Sequence, residues 1–218
     1  MTQRDEIRDS LQGITDQAIV ELEAVHAARE AGLAASRQLI QISSRSIRAA
    51  HRGEFDEARA LSAQAGQVLR DALARLEAQP QVRHSGFMLD GEKEYAESAL
   101  TVALISGSAL PSFGDLGVSV PAYLNGLAEA ASELRRSALD AIRGEEPERA
   151  DTLLGFMDEA MAVLTAIDFP DGVTGGLRRT TDQLRAVTER TRGDVTAALR
   201  QSALEKRMAA FERKLGEP

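Results

Sequence analysis

The sequence has no cysteine and no tryptophan, and only 4% of its 218 residues are aromatic. Without thiols, a disulfide framework, a thiolate metal site and a cysteine nucleophile are all excluded. With so few aromatics, small and aliphatic side chains must supply most of the core, which suits closely packed helices better than a sheet. No stretch approaches the roughly 18 consecutive apolar residues of a membrane span. The charged start, Met1-Thr-Gln-Arg-Asp-Glu6, leads into no apolar run, so a cytoplasmic protein without membrane contact is expected. Lysine is scarce as well: of 26 basic residues only Lys93, Lys206 and Lys214 are lysines. A net charge of −8 argues against indiscriminate binding to nucleic acid, although the arginine bias suits phosphate recognition through the planar guanidinium. Glycine-rich phosphate loops, zinc spacings, dinucleotide fingerprints and serine-hydrolase signatures are all missing.

What is present is helical periodicity, carried by almost everything between the Gly and Pro breaks, with no alternating strand pattern of useful length. The pattern predicts a first helix from about Thr2 to Arg52, ended by Gly53, and a second from about Phe55 to Gln79, stopped by Pro80. A third runs from about Asp90 to Ser106, with Ala96, Ala99, Leu100, Ala103 and Leu104 as its buried stripe. Ser108 to Gly117 is a loop by its Pro and Gly content. Ser119 caps a fourth helix, with Pro121 in the first turn and Gly144 past the end. Pro147 opens a fifth, to about Ile167, followed by the turn Asp168-Phe-Pro-Asp-Gly172. Two further helices span about Val173–Thr191 and Asp194–Leu215, and Gly193 leaves open whether they are separate. With no repeat, low-complexity tract or composition shift, a single all-α domain over residues 1–218 is expected.

Two constellations carry chemistry. Arg37, Arg45, Arg48 and Arg52 fall within an arc of about 80° on the first helix, about a third of a turn from Leu33, Ile40 and Ile47. Between Arg37 and Arg52 no acid shares that strip, so the guanidiniums repel one another, and a polyanion such as RNA would relieve the repulsion. Acids from another helix or subunit would do the same, and spacing leaves both open.

The second constellation is acidic. Glu94 and Glu97 are three apart, and Glu129 and Glu133 are four apart, so each pair shares a helix face. If the faces met, four carboxylates would converge, and such a cluster persists mainly when a cation neutralises it. Mg2+ or Mn2+ held there would polarise a phosphodiester and activate water without any protein nucleophile, one glutamate orienting the water. Periodicity pulls the other way. On the fourth helix the core stripe is Leu124, Leu127, Ala128, Ala131 and Leu134, and Glu129 and Glu133 lie nearly opposite it. They therefore read as surface residues that would stay in water in a single chain and meet only across a cavity enclosed by an oligomer. Glu23-Ala-Val-His26 has the spacing that di-iron bundles use twice, but no second copy exists, so His26 reads as structural or surface. His51 would complement the dipole at the end of the first helix, and His84 falls in a polar loop without an assignable role.

The run Ser36-Arg-Gln-Leu-Ile-Gln-Ile-Ser-Ser-Arg-Ser-Ile-Arg-Ala-Ala-His-Arg52 resembles the first-helix segment of the translin and Trax family. Glu94-Tyr-Ala-Glu97 resembles the Glu-Tyr-x-Glu of Trax, and Tyr123-Leu-x-Gly126-Leu-Ala-Glu-x-x-x-Glu133-Leu-x-Arg136 is similar to a Tyr-Leu-x-Gly segment of both branches. Leu177-Arg-Arg179 and Glu189-Arg-Thr-Arg-Gly193 fit the later part, so the resemblance runs in order from about Ala28 to Gly193.

The resemblance implies a seven-helix fold assembling into a hollow octamer that binds single-stranded RNA or DNA. In the Trax branch it implies metal-dependent endoribonuclease activity from inward-facing acids, which map onto Glu94, Glu97 and Glu129 with Glu133 adjacent. Trax has Asp where this chain has Glu129. The translin branch lacks a full acid set and binds nucleic acid without being the nuclease, so four carboxylates put this chain nearer Trax. The expectation is a Mg2+-dependent (or Mn2+-dependent) endoribonuclease acting on single-stranded RNA inside a homo-oligomer. Glu94, Glu97 and Glu129 would hold the metal, Glu133 would bind metal or position water, and Arg37, Arg45, Arg48 and Arg52 would hold phosphates. Two alternatives stand beside it: a nucleic-acid-binding oligomer without catalysis, and a helical scaffold whose arginines pair between subunits.

Overall fold

Helix boundaries follow from the chemistry of a few residues. Thr2 and Asp5 form a reciprocal capping box, the Asp5 N–H donating to Thr2 Oγ1 and the Thr2 N–H to Asp5 Oδ2, which starts helix α1, Gln3–His51. Gly53, at φ +78, ends it. The structure, a computed structural model, describes residues 2–216, with side chains to Arg213. The remaining elements are α2 (Phe55–Arg75), α3 (Pro80–Arg83), α4 (Gly86–Ser106), α5 (Phe113–Leu116), α6 (Val120–Arg143), α7 (Pro147–Thr165), α8 (Asp171–Thr174) and α9 (Leu177–Gly216). The described residues contain no strand, and the fold is all-α.

Several boundaries differ from expectation; the helix expected from Val173, for one, starts at Leu177 after the single turn α8. Helix α2 stops at Arg75 rather than Gln79, with Leu76 as its C-cap; Gln79, pushed out of the helical region by the proline after it, sits at φ −129, ψ 69, and Pro80 opens the single turn α3. Ser85, extended at φ −70, ψ 155, starts α4 at Gly86, about one turn early. Inside the expected loop, Ser112 and Asp115 build a second capping box around the single turn α5. At Gly193 the helix does not break. A helical glycine costs only about 1 kcal/mol, and both flanks are tethered. The Arg192 guanidinium donates to both Asp158 oxygens at 3.0 and 2.6 Å, and Arg135 pairs with Asp194 at 2.9 Å.

Helix α4 is the centre of the bundle. It packs against α1 and α2 on one side and α6 on the other, and α7 and α9 pack against α6. Its stripe Ala96, Ala99, Leu100, Ala103 and Leu104 is buried, together with Tyr95, Met88 and Ile105. Small residues let these axes approach. A Cβ on Gly91 would lie 3.0 Å from Leu39 Cδ1 and 3.4 Å from Ser36 Cα on α1. Ser36 and Ser46, buried on α1, donate their hydroxyls to the carbonyls of Phe87 and Ala58 at 2.6 and 2.8 Å.

Both long helices run past the bundle. Ile7, Leu11, Ile14 and Leu22 share one face of α1, and Leu204, Met208 and Phe211 share one face of α9; all seven are exposed. Among the described residues no helix is long and apolar enough to cross a membrane.

Candidate catalytic site

The Tyr-Leu-Asn-Gly segment builds the seam between α4 and α6. Tyr123 donates its hydroxyl to the Pro111 carbonyl at 2.9 Å, pinning the preceding loop. Asn125, buried, donates to the carbonyls of Pro121 and Thr174 and accepts from Thr180 Oγ1 at 2.6 Å, which fastens α6 to α8 and α9. Gly126 sets the helix separation. A Cβ there would lie 2.9 Å from Ala96 Cβ, Glu97 N and Lys93 O, so only glycine permits this approach.

At that seam one carboxylate oxygen each from Glu94, Glu97 and Glu129 lie within 4.8 Å of one another. Glu97 is 9% exposed, and the Glu94 and Glu129 side chains are 27% and 31% exposed. A single chain therefore brings these acids together, and no enclosing oligomer is needed to do it. The surface assignment from periodicity fails for a physical reason. Helix α6 buries a second face made of Ala122, Gly126 and Ala130, whose side chains are too small to register as a hydrophobic stripe. Glu129 and Glu133 lie along the edge of this face.

A lysine and a histidine that sequence reasoning did not place there are built into the cluster. Lys93 Nζ donates to both oxygens of Glu129 at 2.7 and 2.8 Å and lies 3.4 Å from Glu94 Oε1. Burial pulls its pKa down, but Glu129 and Glu94 pull harder, holding it above the usual lysine value. His51, with only 1% of its side chain exposed, donates from Nε2 to Glu133 Oε2 at 2.8 Å, and its Nδ1 lies 3.2 Å from Ser137 Oγ. So His51 positions an acid rather than serving only the α1 dipole. Nothing in the spacing of residue 51 pointed to residue 133.

Glu94, Glu97, Glu133 and His51 line a recess of about 270 Å³ whose other walls include Arg48 and Arg136. A larger cavity of about 910 Å³ lies elsewhere, between the end of α7 and the start of α9, and holds none of these acids. Size does not mark the site here; convergence of charge does.

All four arginines of the α1 strip are exposed. Arg48 reaches the recess and donates to Ser44 Oγ at 2.7 Å. Arg52 donates to Glu54 at 2.6 Å and lies 3.8 Å from Glu57, so acids of α2 and its approach neutralise it in part. Arg37 and Arg45 make no hydrogen bond or ion pair among the described residues. Arg136, exposed beside the recess, extends the basic rim from α6. His26 and Glu23 are exposed, and His84 is exposed at the end of α3.

Burial first, and then the charges of Glu129, Glu94 and Glu133, push the Glu97 carboxyl up from 4.5 to about 8, with Lys93 opposing them. Folded Glu97 thus holds its proton more tightly than unfolded Glu97. The stabilisation is complete below the unfolded value of 4.5 and is lost as pH rises to about 8. Thermal melts in EDTA should show a Tm that falls across this window, and Glu97→Gln should flatten the fall. A slope identical in the two proteins would contradict this assignment.

The donor set is three hard carboxylate oxygens with no sulfur, which fits Mg2+ or Mn2+ rather than a soft metal.

No family model matches this chain. An uncharacterized protein of Methanocaldococcus jannaschii is 28% identical over 111 residues. That match spans half the length of this chain and half the length of the relative. Among solved structures, AfC3PO in a complex with duplex RNA superposes with a TM-score of 0.78 at 31% identity, covering 84% of this chain and 95% of AfC3PO. AfC3PO in a second crystal structure matches with the same TM-score and identity. Apo-NeC3PO, at 20% identity and a TM-score of 0.75, shares the fold. With 31% identity over nearly the whole of AfC3PO, this chain belongs to the translin/C3PO family.

Proposed function

We propose that this protein binds RNA and hydrolyses its phosphodiester bonds with Mg2+ or Mn2+ held by Glu94, Glu97 and Glu129. The observation that carries the proposal is the convergence of those three carboxylates beside a recess rimmed by Arg48 and Arg136. The relative solved with duplex RNA supports RNA as the ligand class; we assign single-stranded RNA as the substrate and treat single-stranded DNA as a further ligand.

An ion bound by the three glutamates would act as a Lewis acid toward a phosphoryl oxygen and lower the pKa of water. The protein's own part is positioning. Arg48 and Arg136 hold the phosphate at the recess through charge-assisted hydrogen bonds, and Arg37 and Arg45 carry the strand along α1. Glu133, fixed through one oxygen by His51, keeps a second oxygen for the proton of the attacking water. The new bond joins the water oxygen to phosphorus while the bond from phosphorus to the leaving ribose oxygen breaks.

The exposed apolar faces at the ends of α1 and α9 support self-association, for which we propose a homo-octameric shell. Native mass spectrometry tests that, and a monomer would remove the shell from the proposal.

The direct experiment incubates a fluorescent single-stranded RNA and the matching duplex with the protein, with and without Mg2+. Ion-dependent cleavage of the single strand supports the proposal. Tight binding without cleavage leaves the non-catalytic alternative, which Lys93 bonded to Glu129 specifically favours. In the same system Arg48→Ala and Arg136→Ala should each weaken RNA binding and each lower the slope of log affinity against log salt by about one. An unchanged salt slope in both would place the strand elsewhere.

A further inference from the structure

The acid cluster already contains a cation. Lys93 Nζ sits 2.7 and 2.8 Å from the two oxygens of Glu129 and 3.4 Å from Glu94, so it contacts two of the three proposed ligands. Its backbone carbonyl lies at the Gly126 crossing, which keeps the base of its side chain in place. Glu129 and Lys93 also line a groove of about 300 Å³ on the far side of the seam, together with Arg179 and Gln183 of α9. The lysine therefore stands between the acid recess and that groove.

We propose that Lys93 is a resident counter-cation that a divalent ion must displace from Glu129. This inference rests on the metal assignment made under the proposed function. Its physical basis is competition: an ammonium 2.7 and 2.8 Å from the two oxygens of Glu129 takes up part of their lone-pair capacity and repels a second cation brought to the same carboxylate. Ion and lysine compete for Glu129, so the apparent ion affinity is set in part by the strength of the Lys93 pair. The flexible lysine stem suits this role, since it can leave without moving the backbone.

The test is Mn2+ titration calorimetry on the full chain stripped with EDTA, comparing the natural protein with Lys93→Met and Lys93→Arg. Losing one partly buried ion pair should tighten Mn2+ binding about tenfold in Lys93→Met. Lys93→Arg, whose planar fork pairs bidentately with a carboxylate, should weaken it. Thermal melts give a second readout. Lys93→Met should melt lower than the natural protein in EDTA and recover on adding Mn2+, because either cation serves. If Lys93→Met does not fold without the ion, refolding with Mn2+ supports the proposal, and failure to refold with it overturns it. Equal Mn2+ affinity in all three proteins overturns the lysine role while leaving the metal site intact. Absence of Mn2+ binding in all three removes the metal site, and the lysine role with it.

Discussion

Glu97→Gln should lower Mg2+-dependent RNA cleavage by about a hundredfold to a thousandfold while making the ion-free protein more stable at pH 8. Both effects come from one arrangement. Glu97 is the most buried of the four clustered acids, its carboxyl pushed up to about 8 by burial and by three neighbouring carboxylates. A shift of that size corresponds to roughly 5 kcal/mol of preference for the neutral form. Glutamine keeps the shape, removes the charge and still offers an oxygen, but a neutral amide holds a divalent ion far less well than a carboxylate. A gain in Tm paired with a loss of turnover is what a functional site held against stability predicts. The measurements are a melt in EDTA at pH 8 and a single-turnover cleavage assay. A variant that loses both stability and activity would show that Glu97 is a structural residue and that its carboxylate is satisfied in a way the geometry does not suggest.

Gly126→Ala should destabilise the fold by about 1–3 kcal/mol and weaken Mn2+ binding together. The added methyl would sit 2.9 Å from Ala96 Cβ, Glu97 N and Lys93 O. Two of those three atoms are backbone, so the neighbour cannot rotate away, and α6 must retreat from α4. The retreat separates Glu129 from Glu94 and Glu97, which widens the donor set beyond the reach of one ion. Gly155→Ala is the control. It lies within α7 with open space around an added Cβ, and alanine there should stabilise the helix by about 0.5–1 kcal/mol. Urea unfolding of both variants and Mn2+ calorimetry on Gly126→Ala separate a packing effect from a general loss of helix. Full Mn2+ affinity in a destabilised Gly126→Ala would sever the link between the crossing and the site.

These two positions also show where local spacing carries information and where it stops. That Glu94 and Glu97, or Glu129 and Glu133, share a face is a property of one helix, and 3.6 residues per turn is enough to state it. The same holds for the arginine strip on α1 and for the break at Gly53, whereas Ser119 takes the N-cap position of α6 but its hydroxyl makes no capping hydrogen bond. The ordered motifs from Ala28 to Gly193 carried the family, because their side chains have separate duties in one seam: Tyr123 pins a loop, Asn125 fastens α8 and α9, and Gly126 admits α4.

The partnerships across helices were not legible. His51 and Glu133 are 82 residues apart in the chain, and their 2.8 Å bond depends on the relative rotation of α1 and α6. Lys93 adjoins Glu94 in sequence, yet its main partner is Glu129, reached only because a glycine lets two helices touch. Apolar periodicity misjudged Glu129 since alanine and glycine can bury a face without appearing hydrophobic.

The sequence by itself determined an all-α chain, the pairing of acids on common faces and a basic strip along the first helix, because each of these is set by neighbours within a turn or two. Only the tertiary structure decided that three of the acids meet, that a lysine lies among them and that a histidine holds the fourth. Those outcomes depend on how closely and at what rotation separate helices pack, and spacing along the chain does not encode that rotation.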